Sequence, residues 1–264
     1  MKKIKEAYKE SRKGVLIVYL LLRFLVILVM VRQIFLHNYW NAFLCILVLI
    51  QFLIPYFITK KLKIELPSIF EIIILLFIFS SEVLGEIQNF YGVFKHFDTV
   101  LHTLNGFLCA AVGFSLIDLC NNNSEKFNLS SLYLTIVAFC FSMTIGVLWE
   151  FLEYSIDKVM LSDMQKDKLV TKISSVWLNP DGKNKAIIVD NINKTIIYSD
   201  SGETVIEGGY LDLGLNDTMK DLIVNFVGAV VFSIFGYLYV INRDKYKIAE
   251  KFMPKKVNKC KVKI

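Results

Sequence analysis

Proline is scarce in this chain, with 4 in 264 residues, and histidine is scarcer, with 3. So few helix breakers leave long helices uninterrupted. The 5 cysteines show no CxxC spacing: Cys45, Cys109 and Cys140 fall inside apolar runs, Cys120 at the end of one, and Cys260 in a basic tail. That pattern argues against a zinc or redox pair and predicts no structural disulfide. No motif marks a nucleophile. No small-residue cleavage site follows the first apolar stretch, which is too long for the hydrophobic part of a signal peptide. The basic start MKKIKEAYKESRK is therefore expected to stay attached. No folded basic domain or aromatic platform accompanies the basic tails, so nucleic-acid binding is not expected.

What the chain does have is apolar length. Hydrophobic residues make up 55%, gathered in six runs of about 18 or more residues, the length that spans a bilayer. They cover residues 14–31, 40–59, 67–85, 97–119, 131–156 and 219–241. The expected fold is an all-α integral membrane protein, a six-span helical bundle built from residues 1–156 and 217–243. A basic cytoplasmic tail follows over 244–264.

Net charge is +6, and its placement matters more than its sum. Lys2, Lys3, Lys5, Lys9, Arg12 and Lys13 precede the first span, KKLK follows the second, and nine Lys or Arg follow the sixth. By the positive-inside rule both termini are cytoplasmic, and the basic tails are expected to lie against anionic lipid. The long connection over 158–216 then lies outside. Its middle, KAIIVDNINKTIIYSDSGETVIEGGY, alternates β-branched and polar residues between turn-forming pairs, which predicts two or three short strands in a meander. This extracytoplasmic insert serves either as a lid over a site or as a decoration.

Three stretches place acids, or an acid and a histidine, at helical spacing inside apolar runs: Asp98–His102–Asn105, Glu150–Glu153–Asp157 and Asp217–Asp221–Asn225. Such spacing stacks each set on one helix face. A charged group at mid-bilayer costs about 2.5–3.5 kcal/mol on insertion scales, so the three stripes are expected to face one another. With the orientation above, all three fall in the outer half of the membrane, as do Ser80, Ser81, Glu82 and Glu86 at the end of span three. So many acids cannot all ionise together; protons or a cation must neutralise them. Oxygen ligands with one imidazole suit Mg²⁺, Mn²⁺, Ca²⁺ or Zn²⁺. The expected metal ligands are Asp98, His102, Glu150, Glu153, Asp221 and Asn225. Glu150, Glu153 and Asp221 are the candidate general acids or bases, and His102 a ligand or proton shuttle. For Asp98, Asp157 and Asp217, solvated helix ends are an equally good reading.

Other polar groups in the runs call for partners. Arg23 must pair or snorkel, Glu71 and Asp118 read as counter-ions, Gln51 as a helix–helix hydrogen bond, and Trp149 as a packing or interfacial residue. Gly106 and Gly228 would let helix backbones approach closely.

The motifs HFDTVLHTLNG, GVLWEFLEYSID and NDTMKDLIVNFVGA, in that order, resemble the YjdF-like family of bacterial inner-membrane proteins. The insert departs from that family's compact pattern. A looser likeness is to VanZ-like membrane proteins, associated with glycopeptide resistance and the cell envelope. The resemblance implies a multi-pass protein of the bacterial inner membrane with an envelope role. Three functions are then open. The first is a cation-assisted protein that acts on or binds a membrane lipid or lipid-linked envelope molecule. The second is a cation- or proton-coupled transporter, against which stand the absence of inverted repeats and of a Gly/Pro-broken helix pair. The third is a non-catalytic envelope or resistance factor whose polar cluster stabilises the bundle.

Overall fold

The computed structural model describes residues 2–62, 64–122, 129–243 and 245–256. Lys63 of the KKLK loop and Cys260 lie outside the described residues, as do the side chains of Lys2, Lys3, Lys5 and Lys9. Among the described residues, eight α-helices run α1 Lys2–Phe35, α2 Tyr39–Gln51, α3 Ile54–Leu62, α4 Ser68–Ile78, α5 Phe90–Val93, α6 Phe97–Asn122, α7 Ser131–Met160 and α8 Leu215–Ile241. Six segments are long and apolar enough to cross a membrane: Arg12–Phe35, Tyr39–Lys61, Ser68–Ile87, Phe97–Asn121, Ser131–Met160 and Leu215–Ile241. They match the six apolar runs. The chain divides into two compact units, Met1–Gly146 with Val224–Ile264, and Val147–Ile223.

In the first unit two spans are not plain α-helices. The second breaks at Phe52–Leu53 between α2 and α3, just before Pro55, which has no N–H to carry a helix ladder across. The third begins as α4 and continues as a π-helix over Phe79–Ile87, a form that turns up often at functional sites. One buried cluster joins Leu22 and Val26 of α1, Cys45 and Val48 of α2, Phe52, and Leu75, Val83 and Ile87 of the third span. A second centres on Phe70, Phe114 and Phe232, packed among Ala110, Ala111, Ala138 and Ala229, each with no exposed surface. Alanines at the contact let backbones come together, the usual way helices associate where lipid removes the hydrophobic drive. Leu16, Ile17, Leu20, Leu21 and Phe24 of α1 are exposed. A row of this kind is costly in water and costless in lipid.

The charged and amide groups singled out in the sequence have partners. Arg12 pairs with Glu71 at 2.7 Å and Arg243 with Asp118 at 2.7 Å. Arg23 donates to the Tyr19 hydroxyl at 2.6 Å with its guanidinium over the same ring. Gln51 donates to Glu82 across helices at 3.4 Å. After α8 the chain folds back: Ala249 and Met253 are buried in the second cluster and Phe252 meets Phe107 edge-on at 5.1 Å. The strand β8 (Lys255–Lys256) then pairs antiparallel with β1 (Ile64–Glu65).

The second unit holds six short strands between α7 and α8: β2 Leu169–Val170, β3 Ile173–Ser175, β4 Ile187–Val189, β5 Lys194–Ser199, β6 Gly202–Glu207 and β7 Tyr210–Leu211. They form three two-stranded antiparallel ladders, β2–β7, β3–β4 and β5–β6. The expected meander of two or three strands is therefore a nested arrangement, with β2–β7 closing the base. Residues 185–207 lie beyond that base, and β4 is exposed along its whole length. Replacing 185–207 with a short Gly/Ser linker is expected to leave expression and melting temperature of the remainder nearly unchanged. A large fall in both would show that the hairpins belong to the core.

Candidate functional site

In the first unit α6 carries an acid–imidazole pair: Asp98 Oδ1 and His102 Nε2 lie 3.3 Å apart, one helical turn along the same face. The two side chains are 24% and 15% exposed, so the pair is half-buried rather than solvated. One turn further along α6, Asn105 donates its amide to Asn225 Oδ1 of α8 at 3.1 Å. Asn225 is 1% exposed, and its own amide reaches the Met143 sulfur of α7 at 3.7 Å.

Glycines make this junction. A Cβ on Gly106 would sit 2.0 Å from the Asn225 carbonyl oxygen, and one on Gly228 would sit 1.9 Å from that of Thr103. Gly146 meets the Asn225 amide in the same way, at 2.7 Å. The Ser142 hydroxyl donates to the Gly106 carbonyl at 2.7 Å. Asn225 therefore has a structural duty beside α6 and α7, whatever else it does. The close approach expected at Gly106 and Gly228 is present at both.

In the second unit α7 carries Glu150 and Glu153, 4% and 9% exposed. The Trp149 indole donates to Glu153 Oε1 at 2.7 Å, which gives that tryptophan a polar role beyond packing. On α8, Asp221 is 2% exposed, and the ammonium of its neighbour Lys220 lies 3.5 Å from Oδ1. No helical spacing marks Lys220 in the sequence, because an i,i+1 pair does not share a helix face.

The rim acids of this unit hold backbone together. Asp157 accepts from Ser162 Oγ and from the amides of Met164 and Gln165, all at 2.7–2.8 Å. Asp217 accepts from the Lys166 amide at 3.0 Å and pairs with the Lys168 ammonium at 2.6 Å. Gln165 donates to Thr218 Oγ1 at 2.5 Å. These bonds fasten the start of the insert to the start of α8. Lys168 lies far in sequence from the motif it completes, and no local signal announces it.

The model of a family described as "Predicted membrane protein (DUF2238)" matches residues 15–242. The chain belongs to this family. The match takes in all of the last five spans of this DUF2238 chain, and the YjdF-like resemblance of its motifs is a resemblance to the same family. No curated protein and no solved structure matches the chain.

Outside the spans, the base of the DUF2238 insert holds two aspartates with opposite shifts. Burial pushes the Asp212 carboxyl up, but bonds from Asn216 and from the Lys168 and Gly214 amides outweigh it and hold it below the usual range. Asp167 is raised, by burial first and then by the charges of Asp163, Asp212 and Asp157. A depressed carboxylate adds stability that is present above its unfolded pKa and lost as pH falls through the folded value. Protonating Asp167 relieves repulsion, so acid is expected to loosen the β2–β7 base only below the ordinary aspartate range. Hydrogen exchange at the Lys168, Gly214 and Asn216 amides against pH measures this, and Asp212→Asn should abolish the acid step.

Proposed function

We propose that this membrane protein binds a divalent cation through the acids and histidine of its three sequence motifs, and that the cation-loaded protein acts on or holds a lipid or lipid-linked envelope molecule. Asp98 and His102 pair within the first unit, and Asp221 is the acid that the helical spacing of the third motif offers as a further ligand. Glu150 and Glu153 are the further acids, serving as ligands or as general acid and base. The observation that carries the reading is the Asp98–His102 pair within an apolar helix. A carboxylate beside one imidazole nitrogen suits a hard or borderline cation, and the acids of the other two motifs would complete the donor set. The envelope assignment rests on the VanZ-like likeness of the three motifs. Both termini in the cytoplasm, as the positive charges suggest, would set this set toward the outer leaflet.

The test is elemental analysis of the purified protein together with thermal melts. Bound divalent ion is expected, with chelation lowering the melting temperature and re-addition restoring it. Metal-free protein that responds neither to chelator nor to Mg²⁺, Mn²⁺, Ca²⁺ or Zn²⁺ would overturn the proposal. One observation favours a second reading, a non-catalytic factor whose polar residues only stabilise the bundle: Lys220 already places a cation 3.5 Å from Asp221.

A further inference from the structure

A cleft of about 310 Å³ lies in the first unit, lined by Arg12 of α1, Tyr56 and Lys60 of α3, Glu65 of β1 and Glu71 of α4. Its volume falls at the lower end of the roughly 300–1,000 Å³ of small-molecule sites. Arg12 opens the first span, Lys60 stands at the close of the second and Glu71 in the first turn of the third. The cleft therefore sits at a membrane boundary.

Its charges sort into two kinds. Arg12 and Glu71 satisfy each other at 2.7 Å, with 33% and 18% of their side chains exposed. Among the described residues, Lys60 and Glu65 enter no ion pair; the Lys60 ammonium lies 5.7 Å from the centre of the Tyr56 ring. Among the described side chains, the cleft thus presents one cation and one carboxylate outside the neutral pair. A simple anion would meet two carboxylates here, and a simple cation would meet two basic groups. A zwitterion meets a complement at each end.

We propose that this cleft holds a phosphoethanolamine group, borne by a membrane phospholipid. Lys60 takes the phosphate, and Glu65 accepts from the primary ammonium. A primary ammonium has three N–H donors for carboxylates, whereas a choline head group has none, so the cleft discriminates between the two. Tyr56, Phe57 and Ile58 are all exposed on α3, and they give the acyl chains an apolar wall beside the head group. The basic residues around the cleft bring phosphate to this boundary but do not by themselves select ethanolamine.

The experiment uses the full chain in nanodiscs and in detergent. Retention of phosphatidylethanolamine, phosphatidylglycerol and phosphatidylcholine is read by native mass spectrometry, and free phosphoethanolamine is titrated in parallel. Phosphatidylethanolamine is expected to be retained over both other lipids. Lys60→Gln should weaken all three, and Glu65→Gln should weaken phosphatidylethanolamine alone, by about tenfold or more for loss of a charge-assisted hydrogen bond. Both positions are polar and not fully buried, so the variants should fold, and melting curves check this. Equal retention of the three lipids, or ethanolamine selectivity that survives Glu65→Gln, overturns the proposal. Binding of free phosphoethanolamine without selective lipid retention would keep the zwitterion and overturn the lipid as its source.

Discussion

Gly228→Ala is expected to prevent the first unit from folding normally, with loss of monodisperse protein and a sharply lowered melting temperature. The added methyl would meet the Thr103 carbonyl oxygen at 1.9 Å and the Phe107 amide nitrogen at 2.9 Å. Both are backbone atoms and cannot turn aside as the end of a side chain would. Relief requires α6 and α8 to separate, which would also strain the Asn105–Asn225 hydrogen bond and the edge-on contact of Phe107 with Phe232. Overpacking typically costs 1–3 kcal/mol, occasionally more, and a clash of two backbones belongs at or above about 3 kcal/mol. Gly106→Ala should behave alike, since its methyl would meet the Asn225 carbonyl at 2.0 Å. The control is Gly14→Ala in α1, where nothing lies within 4 Å of the new methyl. It should be neutral or stabilising by up to about 1 kcal/mol, the helix preference of alanine over glycine. A melting temperature unchanged in Gly228→Ala would show that α6 and α8 do not approach as described.

The six spans were legible because each is a run long enough to cross a bilayer and has few charges. The parts that were not legible share a different cause. The π-helix over Phe79–Ile87 has a sequence, FSSEVLGEI, that reads as ordinary α-helix, because an i→i+5 ladder leaves no distinct apolar period. The fold-back after α8 was hidden by Lys251 and by the lysines flanking Ala249, Phe252 and Met253, which make the segment look like a solvated basic tail. β2 and β3 were missed because two or three residues show no alternation. Their pairing depends on partners 42 and 16 residues further along, Leu211 for Leu169 and Val189 for Ile173.

The candidate site divides in the same way. Helical spacing was enough to mark Asp98 with His102 as one face of α6, and the two do pair. Spacing could not show that Asn225 is occupied by Asn105 and Met143, nor that Asp157 and Asp217 serve backbone amides and Lys168. Those roles depend on residues 53 or fewer positions away in the insert and on helices more than 80 positions distant. A residue type at a given depth says that a polar group needs a partner. Only the fold says whether the partner is protein.

Isosteric changes at the acids and the histidine are expected to separate chemistry from architecture. Glu153→Gln keeps an oxygen to accept from the Trp149 indole, so the hydrogen bond can persist while the charge is removed. Stability should then hold or rise, because relieving carboxylate repulsion is favourable. Asp221→Asn leaves Lys220 without that charge, yet the lysine is 36% exposed and can turn to solvent at small cost. His102→Asn ends the interaction with Asp98 and removes the imidazole. If a cation is bound, His102→Asn and Asp221→Asn should abolish the divalent-dependent rise in melting temperature, while melting in chelator stays within a few degrees of the parent. Glu153→Gln should weaken the rise without ending it, since its oxygen remains a possible ligand. A structural cluster gives the reverse: variants that melt lower in chelator and no divalent response in the parent to lose. Measuring all four proteins with and without chelator therefore reads the site directly, before any substrate is in hand.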